Sequence, residues 1–185
     1  MDRFILDTSL FVNPASRKQF GKTPPEAVRA FVRKAKAKKG KAEFYMPPLV
    51  MDELANFAKK DAGKLSAVVK KRAPNIYGIY IPAAILYSFI EDVRARVNKG
   101  LRLAEEFAQD NRPENAEKLS KLRAKYRDAM RKGMVDSRED LEIILLAYEL
   151  GAAIVTSDEG ITLMANQIGV EWIEAEKFGE LLKAL

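Results

Sequence analysis

The chain has 185 residues, of which 48% are hydrophobic and 31% are charged, the ordinary balance of one globular domain with a substantial core. It contains no cysteine and no histidine, which excludes disulfides, thiolate nucleophiles, zinc–sulfur sites and every catalytic base built on an imidazole. The formal net charge is +6, which is compatible with a polyanionic partner without requiring one.

A short buried strand is predicted over Arg3–Leu6, and it ends at the polar sequence Asp7-Thr8-Ser9. The residues 13–21 are predicted to form a loop, because Pro14 and Gly21 interrupt any regular element. Since ligands collect at the carboxyl ends of parallel strands, Asp7 is the first candidate site residue.

A helix is predicted to begin at Pro24 and to end in a basic run over 33–41. One interpretation of this run is a solvated face beside a helix C-terminus, which favours positive charge. The other is a contact with the phosphates of a nucleic acid. The residues proposed for that contact are Lys36, Lys38 and Lys39.

The second predicted strand, Glu43–Met46, is followed by a helix that carries Glu53 near its start. An acid there also suits the helix dipole, so Glu53 alone is unremarkable. The polar segment Lys59–Arg72 is predicted to form a short helix that Pro74 closes.

The longest helical pattern begins at Pro82, and its apolar residues recur at the alternating spacings that are typical of a coiled-coil seam. The seam comprises Ile90, Val93, Val97, Gly100, Ala104 and Phe107. After a break at Asn111-Arg112-Pro113, a second helix continues the spacing, which predicts a long antiparallel hairpin over 82–132. Its first arm, roughly 40 Å long, is expected to protrude from an α/β domain formed by 1–81 and 133–185. The seam is expected to pair with another subunit.

The returning arm of the hairpin is strongly basic, with only Asp128 as an acid over 118–132. Solvated surface charge is one interpretation, and a grip on RNA is the other. The candidates for RNA contact are Lys121, Arg123, Lys125, Arg127 and Arg131.

The stretch 134–161 supplies most of the candidate site. Asp136 and Asp140 lie four residues apart at the start of an apolar helix, which puts their side chains on one face. Gly151 ends that helix, and Asp158 lies just past the end of the strand Ala153–Thr156 that follows.

Beyond residue 161 the sequence predicts a helix, a strand over Val170–Ile173 and a terminal helix. Strands that alternate with helices form a parallel sheet with helices on both faces. The predicted fold class is therefore α/β, with three layers, a parallel central sheet and the inserted helical hairpin.

Each acid taken alone has a structural explanation. Asp136 could cap its helix with Glu139 as partner, or Ser137 could cap it with Asp140. Asp158 could hold a turn, and Asp7 could simply end a strand. The topology nevertheless brings these acids towards one edge of the sheet.

Carboxylates gathered in this way repel one another, by about 4 kcal/mol per pair at about 4 Å and an effective dielectric near 20. A divalent cation would offset that repulsion. Oxygen ligands without His or Cys favour Mg²⁺ or Mn²⁺ over Zn²⁺. Such a site suits the attack of a metal-activated water on a phosphodiester.

Four sequence features together resemble the PIN-domain nucleases: LDTS at the amino end, Glu53 after the second strand, DSRED, and TSDEGI near the carboxyl end. The order and spacing of the acids are the specific part, and the resemblance covers the whole core. The long hairpin before DSRED, with the DEGI ending, is similar more narrowly to the small RNA-free (protein-only) ribonuclease P family. Those proteins are also called RNA ligase partner proteins, or HARP.

That resemblance implies a PIN-like fold and a Mg²⁺-dependent endonuclease that removes the 5′ leader of precursor tRNA. It implies a homo-oligomer through the hairpins, in which dimers assemble into a larger ring or star that helps to grip the tRNA. The family's metal-site acids correspond to Asp7, Asp136, Asp140 and Asp158, which carry the catalysis. In PIN domains generally a further metal-site acid lies where Glu53 stands, and whether Glu142 joins them is open.

Two rival functions remain: another PIN ribonuclease, such as a toxin-type nuclease, and a non-catalytic RNA-binding partner of an RNA ligase. The long hairpin counts against the first, and retention of all the acids counts against the second. A HAD-type phosphatase is disfavoured because Asp7-Thr8-Ser9 lacks a second aspartate two residues on. No signal peptide is evident and the longest apolar run, Ile79–Ile90, contains Pro82 and Ser88, so a cytoplasmic protein without a membrane partner is expected.

Overall fold

A computed structural model describes residues 1–109, 115–131, 135 and 137–185 of the chain. Its centre is a sheet of five parallel strands in the order β3-β2-β1-β4-β5. The strands are β1 (Asp2–Leu6), β2 (Ala42–Met46), β3 (Val69–Lys71), β4 (Ala153–Thr156) and β5 (Trp172–Glu174).

Helices connect these strands and flank the sheet. Before β4 they are α1 (Ser9–Val12), α2 (Pro14–Arg17), α3 (Pro24–Lys36), α4 (Pro48–Ala58), α5 (Ala83–Ala108), α6 (Asn115–Arg131) and α7 (Arg138–Leu150), together with a 3₁₀ helix over Lys59–Ala67. After β4 they are α8 (Glu159–Ile168) and α9 (Phe178–Ala184).

One face of the sheet is covered by an aromatic cluster. Phe4 of β1 and Phe44 of β2 are partners in the strand register and stack with their ring centroids 5.9 Å apart. Phe31 of α3 and Phe178 of α9 meet them edge to face, with centroids 5.3 Å apart in each case. These rings bury a large apolar area, which fixes α3 and α9 on this face.

The opposite face belongs to α7 and α8. Side chains alternate along a strand, so Ile5 of β1 and its register partner Ile154 of β4 point away from the aromatic cluster. Both are fully buried, and α7 contacts β1 and β4 while packing on α8. The three-layer α/β fold with a parallel sheet is therefore confirmed.

The segment between α4 and α5 differs from the sequence-based prediction. A short helix was expected over Lys59–Arg72, but the chain forms the 3₁₀ helix and then β3, which pairs with β2 at the sheet edge. A strand with one buried residue, Val69, and two exposed lysines carries little apolar periodicity. Edge strands often carry such lysines.

A second difference lies in the predicted loop 13–21, which contains the short helix α2. Asn13 caps it, since the side-chain oxygen accepts a hydrogen bond from the Ala15 N–H at 2.9 Å. Pro14 occupies the first helical position, where a missing N–H costs nothing. The same proline that predicted a break therefore starts a helix.

Helices α5 and α6 pack on each other as an antiparallel pair. Arg96 donates to the carbonyl of Met130 at 3.0 Å, whereas Lys125 lies near Glu106, so rising positions on α5 meet falling positions on α6. Gly100 is buried where Tyr126 crosses, and a Cβ there would lie 2.7 Å from the ring. The predicted break at 111–113 lies outside the described residues. No helix within the described ranges is long and apolar enough to cross a membrane.

Candidate metal centre and its relatives

A cavity of about 550 Å³ opens at the carboxyl edge of the sheet, beside the ends of β1 and β4. Acids and hydroxyl-bearing side chains dominate its wall. The lining residues are Asp7, Thr8, Ser9, Asn13, Glu53, Ser137, Glu139, Asp140, Ser157 and Asp158. The structure thus brings together every predicted metal-site acid except Asp136, which lies outside the described residues.

Asp7 is the buried centre of this cavity, with only 5% of its surface exposed. Thr8 donates a hydrogen bond to Oδ1 at 3.3 Å, and Thr156 donates one to Oδ2 at 2.7 Å. The Ser9 hydroxyl also donates to Oδ2. These donors fix the carboxylate in one orientation, while its remaining lone pairs stay available to a cation.

Burial raises the pKa of Asp7 above its usual value, because a buried carboxylate loses the solvation of its charged form. Hydrogen bonds from Ser9 and Thr156 lower the pKa and so oppose that effect, and the nearby charge of Asp158 raises it further. The ionised form of Asp7 is therefore disfavoured in the folded chain, and a cation bound beside it would stabilise that form.

Thr156 links the two acids that follow β1 and β4. Its hydroxyl donates to Asp7 and accepts a hydrogen bond from the backbone N–H of Asp158 at 3.0 Å, and the side chain is fully buried. Asp158 in turn caps α8, since its Oδ1 accepts from the Ile161 N–H at 3.1 Å. The cap leaves the second carboxylate oxygen for the cavity.

Asp140 reaches the cavity from the first turn of α7. Ser137 caps that helix by accepting a hydrogen bond from the Asp140 N–H at 3.1 Å. Of the two capping arrangements open at the sequence level, the structure shows the one with Ser137. The cap removes one structural explanation for Asp136, whose own position is not described.

The sequence suggested only a capping role for Glu139, but this residue lines the same cavity as Glu53. Partial burial raises the pKa of Glu53, a hydrogen bond from Thr8 lowers it, and the charges of Asp7 and Glu139 raise it. The pairing was not foreseen because Glu139 and Glu53 come from α7 and α4, which are distant in sequence. Glu142, by contrast, is buried beside Arg138 outside the cavity lining, with Oε1 and Nε 3.2 Å apart.

The oxygen-rich lining fits a hard divalent cation, yet the acids do not form a closed ligand set. No three acids among the described residues are close enough to hold one ion. Asp136, which precedes the cap residue of α7 in the sequence, lies outside the described residues.

The two basic surfaces lie in different places. On α6, Lys121 pairs with Glu117 and Lys125 pairs with Glu106, both within the hairpin. The run 33–41 lies at the start of β1, where Asp2 N–H donates to the Lys41 carbonyl at 3.2 Å and Lys38 donates to the Lys183 carbonyl at 3.0 Å. That is the amino edge of the sheet, opposite the acidic cavity. The side chain of Arg131 lies outside the description.

Comparison with known proteins gives a consistent family assignment. Residues 3–185 match the model of the PINc domain ribonuclease family. The chain is 47% identical to the RNA-free ribonuclease P of Pyrococcus furiosus, over 100% of this chain and 94% of the relative. For the protein of the same name from Thermococcus onnurineus the identity is 44%, over 99% of this chain and 94% of the relative. The relative from Halorhodospira halophila is 43% identical, over 94% of this chain and 85% of its own length. The chain therefore belongs to the PINc domain ribonuclease family, and within it to the RNA-free ribonuclease P proteins.

Proposed function

We propose that this protein is a Mg²⁺-dependent endoribonuclease that removes the 5′ leader of precursor tRNA. The observation that carries the proposal is the acidic cavity, in which Asp7 is buried, fixed by three hydroxyl donors and placed beside Asp158. The names of its relatives supply the substrate. Mn²⁺ is the alternative cation, because its ligand preferences are similar.

The candidate ligands of the cation are Asp7, Asp140 and Asp158, with Asp136 as the fourth acid and Glu53 as a further ligand. The described acids by themselves form no three-ligand group, so these side chains would have to move closer together around a cation when it binds. When bound there, a divalent cation would supply a water of lowered pKa and positive charge beside the phosphate. Thr8, Ser9 and Thr156 keep Asp7 in a single orientation. Precise orientation of a ligand before substrate arrives avoids reorganisation during the reaction.

The test is a comparison of two RNAs with the purified protein in Mg²⁺. A precursor tRNA with a 5′ leader is expected to be cut, whereas an unstructured RNA of equal length is expected to survive, and a chelator is expected to stop the cutting. Equal cleavage of both RNAs would favour a general PIN nuclease. Binding without any cleavage would favour the non-catalytic partner of an RNA ligase.

Thr156→Val is expected to weaken Mg²⁺ binding about 10- to 100-fold, the usual effect of losing a group that orients a metal ligand. Valine keeps the shape but removes the hydroxyl that bonds Asp7 and the Asp158 N–H. Isothermal titration with Mg²⁺ measures the affinity. Thr162→Val is the matched control, because in the described part of the chain the Thr162 hydroxyl bonds only to the Glu159 carbonyl, at 3.0 Å, on the exposed start of α8. Equal affinity of the two variants would contradict the role of Thr156.

For RNA binding we propose α6 as the principal surface, with Arg123 and Arg127 as its strongest members. Neither forms an ion pair with a residue in the described part of the chain, whereas Lys121 and Lys125 do pair there. Arg131 is included among the proposed RNA contacts because it belongs to the same basic stretch of the sequence. Lys36, Lys38 and Lys39 have less support, since their run lies at the opposite edge of the sheet from the cavity.

The double substitution Arg123→Ala and Arg127→Ala is expected to weaken tRNA binding. A plot of the logarithm of the tRNA association constant against the logarithm of the salt concentration should become less steep, by roughly 1.5 in slope, since two phosphate contacts are lost. Binding isotherms at several salt concentrations measure the slope. The matched control is Lys36→Ala with Lys39→Ala, which removes the same charge at the amino edge. An equal change of slope in both variants would contradict the assignment to α6.

We also propose that the chain forms a homo-oligomer through the hairpin 82–132, and that 1–81 with 133–185 form the nuclease domain. Arg96 lies opposite the end of α6, so Ile90 and Val93 of the seam extend beyond that helix. Both are exposed, at 49% and 37%, and Val97 is exposed at 57%. An apolar stripe of this kind on a helix suits a partner helix.

Replacing Ile90, Val93 and Val97 by serine is expected to lower the molecular mass in solution to that of a smaller assembly. The reason is that association would no longer remove this apolar stripe from water. Light scattering measures the mass. Leu163→Ser, on α8, is the control, because Leu163 is similarly exposed but lies outside the hairpin. An unchanged mass of the triple variant would contradict the proposed interface.

A further inference from the structure

Asn13 is a neutral residue in the wall of the acidic cavity. It follows α1 and precedes α2, and its backbone N–H donates to the Ser9 carbonyl at 3.0 Å. Its side-chain oxygen accepts from the Ala15 N–H at 2.9 Å. The backbone and the side-chain oxygen of Asn13 are therefore both fixed by hydrogen bonds.

The amide nitrogen of Asn13 is the polar group left for a ligand. Within the described ranges it donates no hydrogen bond, and it carries two N–H donors that cannot ionise. Most other described groups around it are acceptors or committed donors, although the Ser137 hydroxyl, which accepts from the Asp140 N–H, also carries a hydrogen. The acids accept only, when ionised. The Ser9 hydroxyl donates to Asp7, and the single hydrogen of the Thr8 hydroxyl has both Asp7 and Glu53 as acceptors. Ser157 shares a hydroxyl pair with the buried Ser16 at 2.8 Å.

A phosphodiester entering this cavity needs such a donor. Each non-bridging oxygen carries part of the phosphate's negative charge, and five described acids line the wall, namely Asp7, Glu53, Glu139, Asp140 and Asp158. A bound cation would screen the oxygen that faces it, whereas the second oxygen would still lie among the carboxylates of the wall. A neutral N–H donor can stabilise that second oxygen without competing with the acids for the cation.

We propose that Asn13 is a substrate-binding residue, whose amide nitrogen donates a hydrogen bond to the non-bridging oxygen of the scissile phosphate that does not face the cation. This inference rests on the proposed function. The same donor could instead meet a 2′-hydroxyl oxygen of the neighbouring ribose. Both are oxygen acceptors of the RNA backbone, and the experiment below separates them.

Two variants remove the amide N–H donors and keep the cap of α2. An ionised aspartate has no donor, and the serine hydroxyl ends one bond short of the position of the amide nitrogen. Serine and aspartate are both good N-cap residues, so Asn13→Ser and Asn13→Asp should retain the thermal unfolding midpoint. Asn13→Ser is expected to lower kcat/KM for precursor tRNA by about 10- to 100-fold, the range for one hydrogen bond to a charged group. Asn13→Asp should lower it further, since it adds a like charge.

The decisive comparison uses precursor tRNA with sulfur in place of one or the other non-bridging oxygen at the cut, because sulfur accepts hydrogen bonds weakly. Where the replaced oxygen faces the cation, exchanging Mg²⁺ for Mn²⁺, which accepts soft ligands more readily, should relieve the defect. For the other stereoisomer, the loss of cleavage rate caused by sulfur should persist in Mn²⁺ with the wild-type protein. It should vanish with Asn13→Ser, because the donor that sulfur disrupts is already gone.

The inference is overturned if, for both stereoisomers, the loss of kcat/KM with Asn13→Ser and sulfur together equals the product of the two separate losses. Asn13 would then not contact the phosphate. A coupling seen only with a 2′-deoxy substitution would also overturn it, in favour of the ribose. The wild-type protein with unmodified RNA provides the separate control. If it cleaves, the proposed function stands and the coupling alone decides; if it does not, both proposals fall.

Discussion

Asp7→Asn is expected to lower the rate of precursor tRNA cleavage by at least about 10³-fold, the effect of losing several kcal/mol of charge stabilisation at a metal site. The asparagine has nearly the same volume, so the fold should remain. It removes the negative charge that the cavity surrounds with three hydroxyl donors. Single-turnover cleavage at saturating protein measures the chemical step apart from binding.

The control for this variant is Asp52→Asn. Asp52 lies on α4, has 70% of its side chain exposed and pairs with Lys71 at 3.2 Å outside the cavity lining. Asp52→Asn therefore removes the same charge without changing the cavity, and the cleavage rate of this variant should match that of the wild type. Similar rates for Asp7→Asn and Asp52→Asn would contradict the assignment of Asp7.

Phe31→Ala is expected to lower the free energy of unfolding by about 3–5 kcal/mol, as large-to-small changes of buried aromatics do. Phe31 is fully buried, and its ring meets those of Phe11, Phe20 and Phe44 at centroid distances of 5.4, 5.9 and 5.3 Å. No single neighbour can fill the space, because the rings approach it from α1, the loop after α2 and the sheet. Denaturant unfolding at one fixed protein concentration, followed by circular dichroism, measures the change.

Phe57→Ala provides the comparison for this loss. Phe57 lies on α4 with 46% of its surface exposed, so truncation leaves no closed cavity and should cost much less. If the two variants were destabilised equally, the cluster around Phe31 would not be the centre of the core.

The site acids of β1 and β4 could be predicted because each depends on local sequence alone. A short apolar run ending at Asp7, and another ending just before Asp158, define strands and their carboxyl ends. Parallel topology then places both acids at one edge. Helical spacing pointed to Asp140, and the structure places this residue in the wall of the cavity.

What the sequence could not predict depends on partners from distant segments. The strand β3 has one buried residue and is stabilised by pairing with β2, so its own pattern is too weak to recognise. Glu139 reaches the cavity only because α4 and α7 pack together. The basic run 33–41 is evident as a charge pattern, but its position at the amino edge follows from the direction of α3.

The most direct measurement of the central claim is the identity of the cut in precursor tRNA. The substrate carries a label at its 5′ end and is treated with purified wild-type protein or Asp7→Asn in Mg²⁺. We expect one cut by the wild-type protein, at the junction of leader and mature tRNA, with a 5′-phosphate on the tRNA and a 3′-hydroxyl on the leader. Cleavage elsewhere, or the same cut by Asp7→Asn, would contradict the assignment of this activity to the acidic cavity.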